Sequence, residues 1–132
     1  MELTFALLAD YANVSQEGKL NVLGLFNRIW VQKFPAQHPQ MHLVLRFLAR
    51  AGEYGKTRQV TIRLITEDGK EVFSLPQNIA IGEGGGRPLE INRILVMNNV
   101  VFSGPGEYSF RILVDDDEKG SVPVTLALKS GD

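Results

Sequence analysis

No cysteine occurs anywhere in the 132 residues. That absence excludes disulfide staples, thiolate zinc sites and cysteine nucleophiles together. It also leaves nothing that asks for an oxidising compartment. Histidine occurs twice and tryptophan once. An excess of one charge is missing too: 14 Lys and Arg stand against 15 Asp and Glu, for a net charge of −1. No global attraction to nucleic acid or acidic membranes follows, so such binding would need a local patch. The apolar start, Met1 to Ala9, has no basic n-region, and Asp10 breaks it before a signal peptide or membrane span is reached. The expectation is a cytoplasmic protein with no membrane partner, residues 1–132 forming a single domain.

What is present is ordinary globular material, 44% hydrophobic and 22% charged. A chain of this length buries a two-layer core without staples. Nearly all of it reads at period two, with turn residues between the runs. Strands are expected over 2–12, 19–34, 41–50, 57–66, 71–81, 89–102, 107–115 and 121–129. Gly24 interrupts the second run, as where a strand bends or changes sheet. Asp68-Gly69 marks a hairpin, and Pro76 marks an edge strand. Pro35 to Gln40 reads as a loop, and Asn98-Asn99 as a kink or division.

The stretch Pro105-Gly106-Glu107-Tyr108 leads into a strand whose Tyr108, Phe110, Ile112 and Val114 share one face. A tyrosine at the start of such a strand forms the tyrosine corner of a β-sandwich: ring in the core, hydroxyl on a neighbouring loop. About eight strands and no helix predict an all-β, antiparallel sandwich, an immunoglobulin-like Greek key. A jelly roll or a sandwich of the calcium- and lipid-binding type is the alternative.

Phe5-Ala6-Leu7-Leu8-Ala9-Asp10-Tyr11-Ala12 with Gly18-Lys19-Leu20-Asn21-Val22-Leu23-Gly24-Leu25-Phe26 forms a distinctive N-terminal pair of motifs. His38-Pro39-Gln40-Met41, Leu45-Arg46-Phe47, Asn98-Asn99 and the Pro-Gly-Glu-Tyr strand extend it. In these the chain resembles a family of small stand-alone bacterial proteins of unknown function. The resemblance implies an all-β bacterial domain and supplies no catalytic residues.

The residues themselves offer several constellations. Asp115, Asp116 and Asp117, next to Glu118, cluster carboxylates at a hairpin tip, as calcium loops do; a solvated turn would look the same. His38 and His42 are four apart, but Pro39 between them denies the helix that would aim both at one metal. Gly82 to Pro88 is glycine-rich, yet it joins two strands and lacks the lysine of a phosphate loop. If the 41–50 and 57–66 strands pair, His42, Arg46, Arg50 and Arg63 make a basic face for an anion. No aromatic belongs to that face, which argues against nucleic acid. No serine sits in a nucleophile elbow, so an enzyme is not expected, and neither is a cofactor.

Surplus apolar residues are the stronger signal. The 20–31 run carries Leu23, Leu25, Ile29 and Val31 on one parity and Val22, Phe26 and Trp30 on the other. The 89–102 run is likewise apolar on both, with Ile94 and Val96 among them. One face of each must be hidden, by a break that swaps the buried parity, by a long loop such as Pro35 to Gln40, or by another protein. The expected function is therefore a non-enzymatic protein-interaction module, self-associating through Trp30, Leu23, Leu25, Ile29, Ile94 and Val96. A ligand-binding sandwich using the acidic tip or the basic face is the alternative.

Overall fold

Gly24 bends the second apolar run just before it is cut at Phe26-Asn27. It sits at φ +71°, a conformation that glycine alone takes at little cost. A Cβ there would meet the Asp10 carboxylate at 2.5 Å. The run splits into β2 (Leu20–Leu25) and β3 (Arg28–Val31), and these join different sheets. The computed structural model describes residues 1–129. The other strands are β1 (Glu2–Val14), β4 (Ala36–Ala49), β5 (Thr57–Ile65), β6 (Glu71–Ala80), β7 (Leu89–Phe102), β8 (Gly106–Val114) and β9 (Asp117–Leu128). The count is nine instead of eight, because the break at Phe26-Asn27, just past Gly24, makes two strands of one.

Two sheets face each other. One is antiparallel, in the order β2-β1-β4-β7; the other runs β3-β9-β8-β5-β6. In the second sheet β3 lies parallel to β9, Arg28 opposite Thr125, so the sandwich is not antiparallel throughout. Between the sheets, Met41, Leu43, Leu45, Phe47 and Ala49 of β4 meet Ile62 and Leu64 of β5, Phe110 and Ile112 of β8, and Val124 and Leu126 of β9. All of these side chains are buried, as their alternation requires.

Two boundaries differ from expectation for local reasons. The 35–40 stretch is strand, not loop: from Ala36 it pairs with β7, His38 opposite Val100 and Gln40 opposite Asn98. Pro39 has no amide to give the ladder, and it lies opposite Asn99, which sits at φ +56°. The two break the pleat together without shifting register. Beyond that point the buried residues of β7 change from Ile91, Leu95 and Met97 to Val100 and Phe102. β7 is thus kinked but undivided. At the acidic tip, Asp115 and Asp116 take φ of +47° and +67°, and strand resumes at Asp117.

Tyr108 is where the sequence placed it. Its ring is buried edge-on to Phe102, 5.0 Å between centroids. Its hydroxyl donates to the Gly104 carbonyl at 2.8 Å and accepts from the Gly104 amide at 3.3 Å.

Candidate functional site

An antiparallel sheet with one face on the core ordinarily turns a polar face to water. The β2-β1-β4-β7 sheet does not. With Leu8, Leu43 and Leu45 committed to the core, the opposite parity points outward. Leu25, Ala9, His42 and Val96 then lie side by side across all four strands. Leu7, Val44 and Ile94 form the adjacent row, and Leu23 and Tyr11 pair on the other side. Leu23 and Leu25 are 64% and 62% exposed, Val96 50% and Tyr11 47%. Strand and residue spacings put this apolar face at roughly 400 Å².

Beneath those side chains Ala9 and Val44 are fully buried, and His42 is 4% exposed. The Tyr11 ring meets the His42 imidazole edge-on at 5.2 Å. The Nδ1 atom of His42 is buried with no hydrogen-bond partner. Leaving such a group unpaired costs about 1–3 kcal/mol.

The surplus apolar residues singled out in the sequence do not form one patch. Leu23, Leu25, Ile94 and Val96 share this outer face. Ile29 instead lies in the core, because β3 turns that parity inward. Trp30 is exposed on β3, at the edge of the other sheet, with the Arg28 guanidinium over its ring at 5.4 Å. Tyr11 and Leu7 were missed. β1 is apolar at Phe5, Leu7, Ala9 and Tyr11 as well as at Ala6 and Leu8, the same two-sided signal seen in the other runs.

The basic face does not form. β4 and β5 belong to different sheets, so Arg63 lies away from His42, Arg46 and Arg50. Each arginine also faces a glutamate: Arg46 with Glu90 at 3.1 Å, Arg50 with Glu2 at 3.3 Å, Arg63 with Glu71 at 2.8 Å. Arg46 further stacks over Phe5 and donates to Asn92, covering apolar surface instead of opening it.

The other constellations disperse in the same way. Asp115 is held by Arg58 and the Gln59 amide, and Asp117 by Lys119. Among the described residues no three acidic or histidine side chains converge as a metal site. His38 and His42 lie along one strand, roughly 13 Å apart by strand rise. Burial pushes the His38 pKa below the ordinary histidine value, partly offset by Asp10. The glycine-rich loop joins β6 to β7, and the Tyr54 hydroxyl donates to its Arg87 carbonyl. A groove of about 470 Å³ beside Tyr108 is rimmed by Glu67, Asp68 and Glu107. There the Glu67 carboxylate accepts the Glu107 amide at 3.1 Å.

These features define an all-β, two-sheet protein with an apolar outer face. The chain belongs to the family of unknown function DUF6941, whose model matches residues 4–127. No curated protein matches it in sequence. Among solved structures it is similar to the Pseudomonas fluorescens alkylpurine DNA glycosylase AlkC bound to DNA containing an abasic site analog. The identity is 13% and the TM-score 0.51, over 92% of this chain and 30% of that one. This chain therefore spans less than a third of the glycosylase, and the likeness concerns the fold alone.

Proposed function

We propose that the protein is a non-enzymatic protein-interaction module of the cytoplasm that associates with a second copy of itself. The observation that carries this reading is the apolar outer face of the β2-β1-β4-β7 sheet, which continues around β7. Monomers rarely expose contiguous apolar patches beyond a few hundred Å². Burying roughly 400 Å² on each of two copies yields about 20 kcal/mol gross at 25 cal/mol per Å². Association costs of about 4–15 kcal/mol or more leave a modest surplus. A net charge of −1 sets up little repulsion between copies. The DNA of the glycosylase structure is not extended to this chain, since Arg46, Arg50 and Arg63 are each paired with a glutamate.

The same reading takes the fold as an immunoglobulin-like variant. β9-β8-β5-β6 follows the G-F-C-C′ order, and β1-β4-β7 follows A-B-E. Tyr108 supports it, standing early in the strand equivalent to F and bonded four residues upstream.

Sedimentation velocity from about 1 μM to 1 mM tests the association, a range that brackets millimolar to micromolar affinity. A shift from monomer toward dimer is expected. A monomer at every concentration would overturn the proposal.

A further inference from the structure

Four strands end the two sheets: β2 and β7 in one, β3 and β6 in the other. Unpaired edges invite another strand, and natural proteins blunt them with brevity, proline or distortion. β3 has four residues and β2 has six, with Gly24 in its path. β6 carries Pro76 midway. β7 has none of these along Leu89–Met97, since its distortion at Asn99 comes only after nine regular residues.

At the far end of that edge, between β6 and the Val96–Val101 part of β7, runs a mostly apolar groove of about 450 Å³, lined by Val72, Phe73, Leu75, Val96, Val100 and Val101 with Asn98 and Asn99. Val72, Leu75, Val96 and Val101 are exposed. In the A-B-E-D sheet of an immunoglobulin-like sandwich a further strand would stand next to β7, and no strand of the described residues pairs there.

We propose that the β7 edge of one copy pairs antiparallel with the β7 edge of a second copy, joining the two four-stranded sheets into one of eight. This rests on the self-association reading but moves the contact from the outer face of the sheet to its β7 edge, with Leu23 and Leu25 on the far edge outside the seam. Two features favour a second copy. First, β7 is itself an extended, mostly apolar segment of the kind its own edge accepts, and antiparallel pairing about a two-fold axis presents the same strand from both sides. Its two charges cancel: Glu90 faces Arg46 at 3.1 Å, and Arg93 donates to its own Asn92 carbonyl at 2.9 Å. Second, the area suffices. Nine residues extend roughly 30 Å, and two sheets with their side chains are roughly 20 Å deep, giving a strip of roughly 600 Å² per copy. That approaches the roughly 800 Å² per partner of a standard interface.

The lack of native cysteine makes the test clean. Asn92→Cys, Ile94→Cys and Val96→Cys are oxidised in separate samples beside Leu23→Cys and Leu25→Cys. Disulfide-linked dimer is expected at a β7 position, at least about tenfold faster than at either β2 position. Equal or faster linkage through Leu23→Cys or Leu25→Cys, or none through β7, overturns the proposal. Hydrogen exchange on the unmodified protein gives a second readout independent of any variant. The alternate amides of Glu90 to Asn98 that point away from β4 are expected to slow at least about tenfold as concentration rises, while those of β2 do not. A sample that sediments as a dimer with unchanged β7 exchange overturns the edge alone. A monomer at every concentration overturns both the edge and the self-association behind it.

Discussion

Tyr108 and His42 show two ways for a polar atom to be buried in this protein. The Tyr108 hydroxyl has both a donor and an acceptor in the Gly104 backbone. Tyr108→Phe keeps the ring and strands those groups, so a loss of about 1–2 kcal/mol is expected in urea denaturation. Unchanged stability would show that the corner is held by the ring alone. His42 is the opposite case, with a buried Nδ1 that bonds to nothing. His42→Leu removes that unmet group among Ala9, Val44 and Val96, and should raise stability by about 1 kcal/mol in the same assay. The two differ in how visible they were beforehand. Tyr108 declares itself through Pro105-Gly106 and a clean alternation after it. The burial of His42 depends on Tyr11 arriving over it from another strand, a long-range event that the residues near position 42 do not encode.

At the scale of strands, local chemistry was legible and pairing was not. Gly24, Pro76 and Asp68-Gly69 each mark what they mark by backbone necessity. The hairpins β5–β6 and β8–β9 follow from short turns. Gly24→Ala would force a Cβ into the left-handed region and against Asp10. A loss of at least about 1 kcal/mol in thermal or urea unfolding is expected; a neutral result would mean the β2–β3 crossing can relax. What could not be read was that β4 and β5, adjacent in the chain, enter different sheets. Both alternate equally well, and alternation says which residues share a face, not which strand lies beside it. The basic face failed for that reason. The start of β4 was hidden differently: Pro39 signals a loop, and only Asn99 opposite it lets the ladder continue.

For the molecule as a whole, sandwich architecture was legible from composition, period and the tyrosine corner, while strand order was not. The apolar surplus was correctly sensed at Leu23, Leu25 and Val96. Trp30 is exposed as well, though on another edge, whereas Ile29 fills the core. If association runs through apolar surface and backbone pairing, it should respond weakly to ionic strength, unlike contacts between exposed charges. Repeating the sedimentation series at low and high salt checks this. Dissociation by salt would point instead to contacts between exposed charges of the two copies.

The parallel contact of β3 with β9 has a consequence for biosynthesis. Arg28 finds its neighbour only once the chain has been made as far as Thr125. Until then, Ile29 lacks the sheet that buries it, and an early segment waits for a late one. Closure over so long a loop is slow compared with forming the local hairpins. Completion of this sandwich therefore waits for β9, and a nascent chain stalled short of β9 exposes part of its interior.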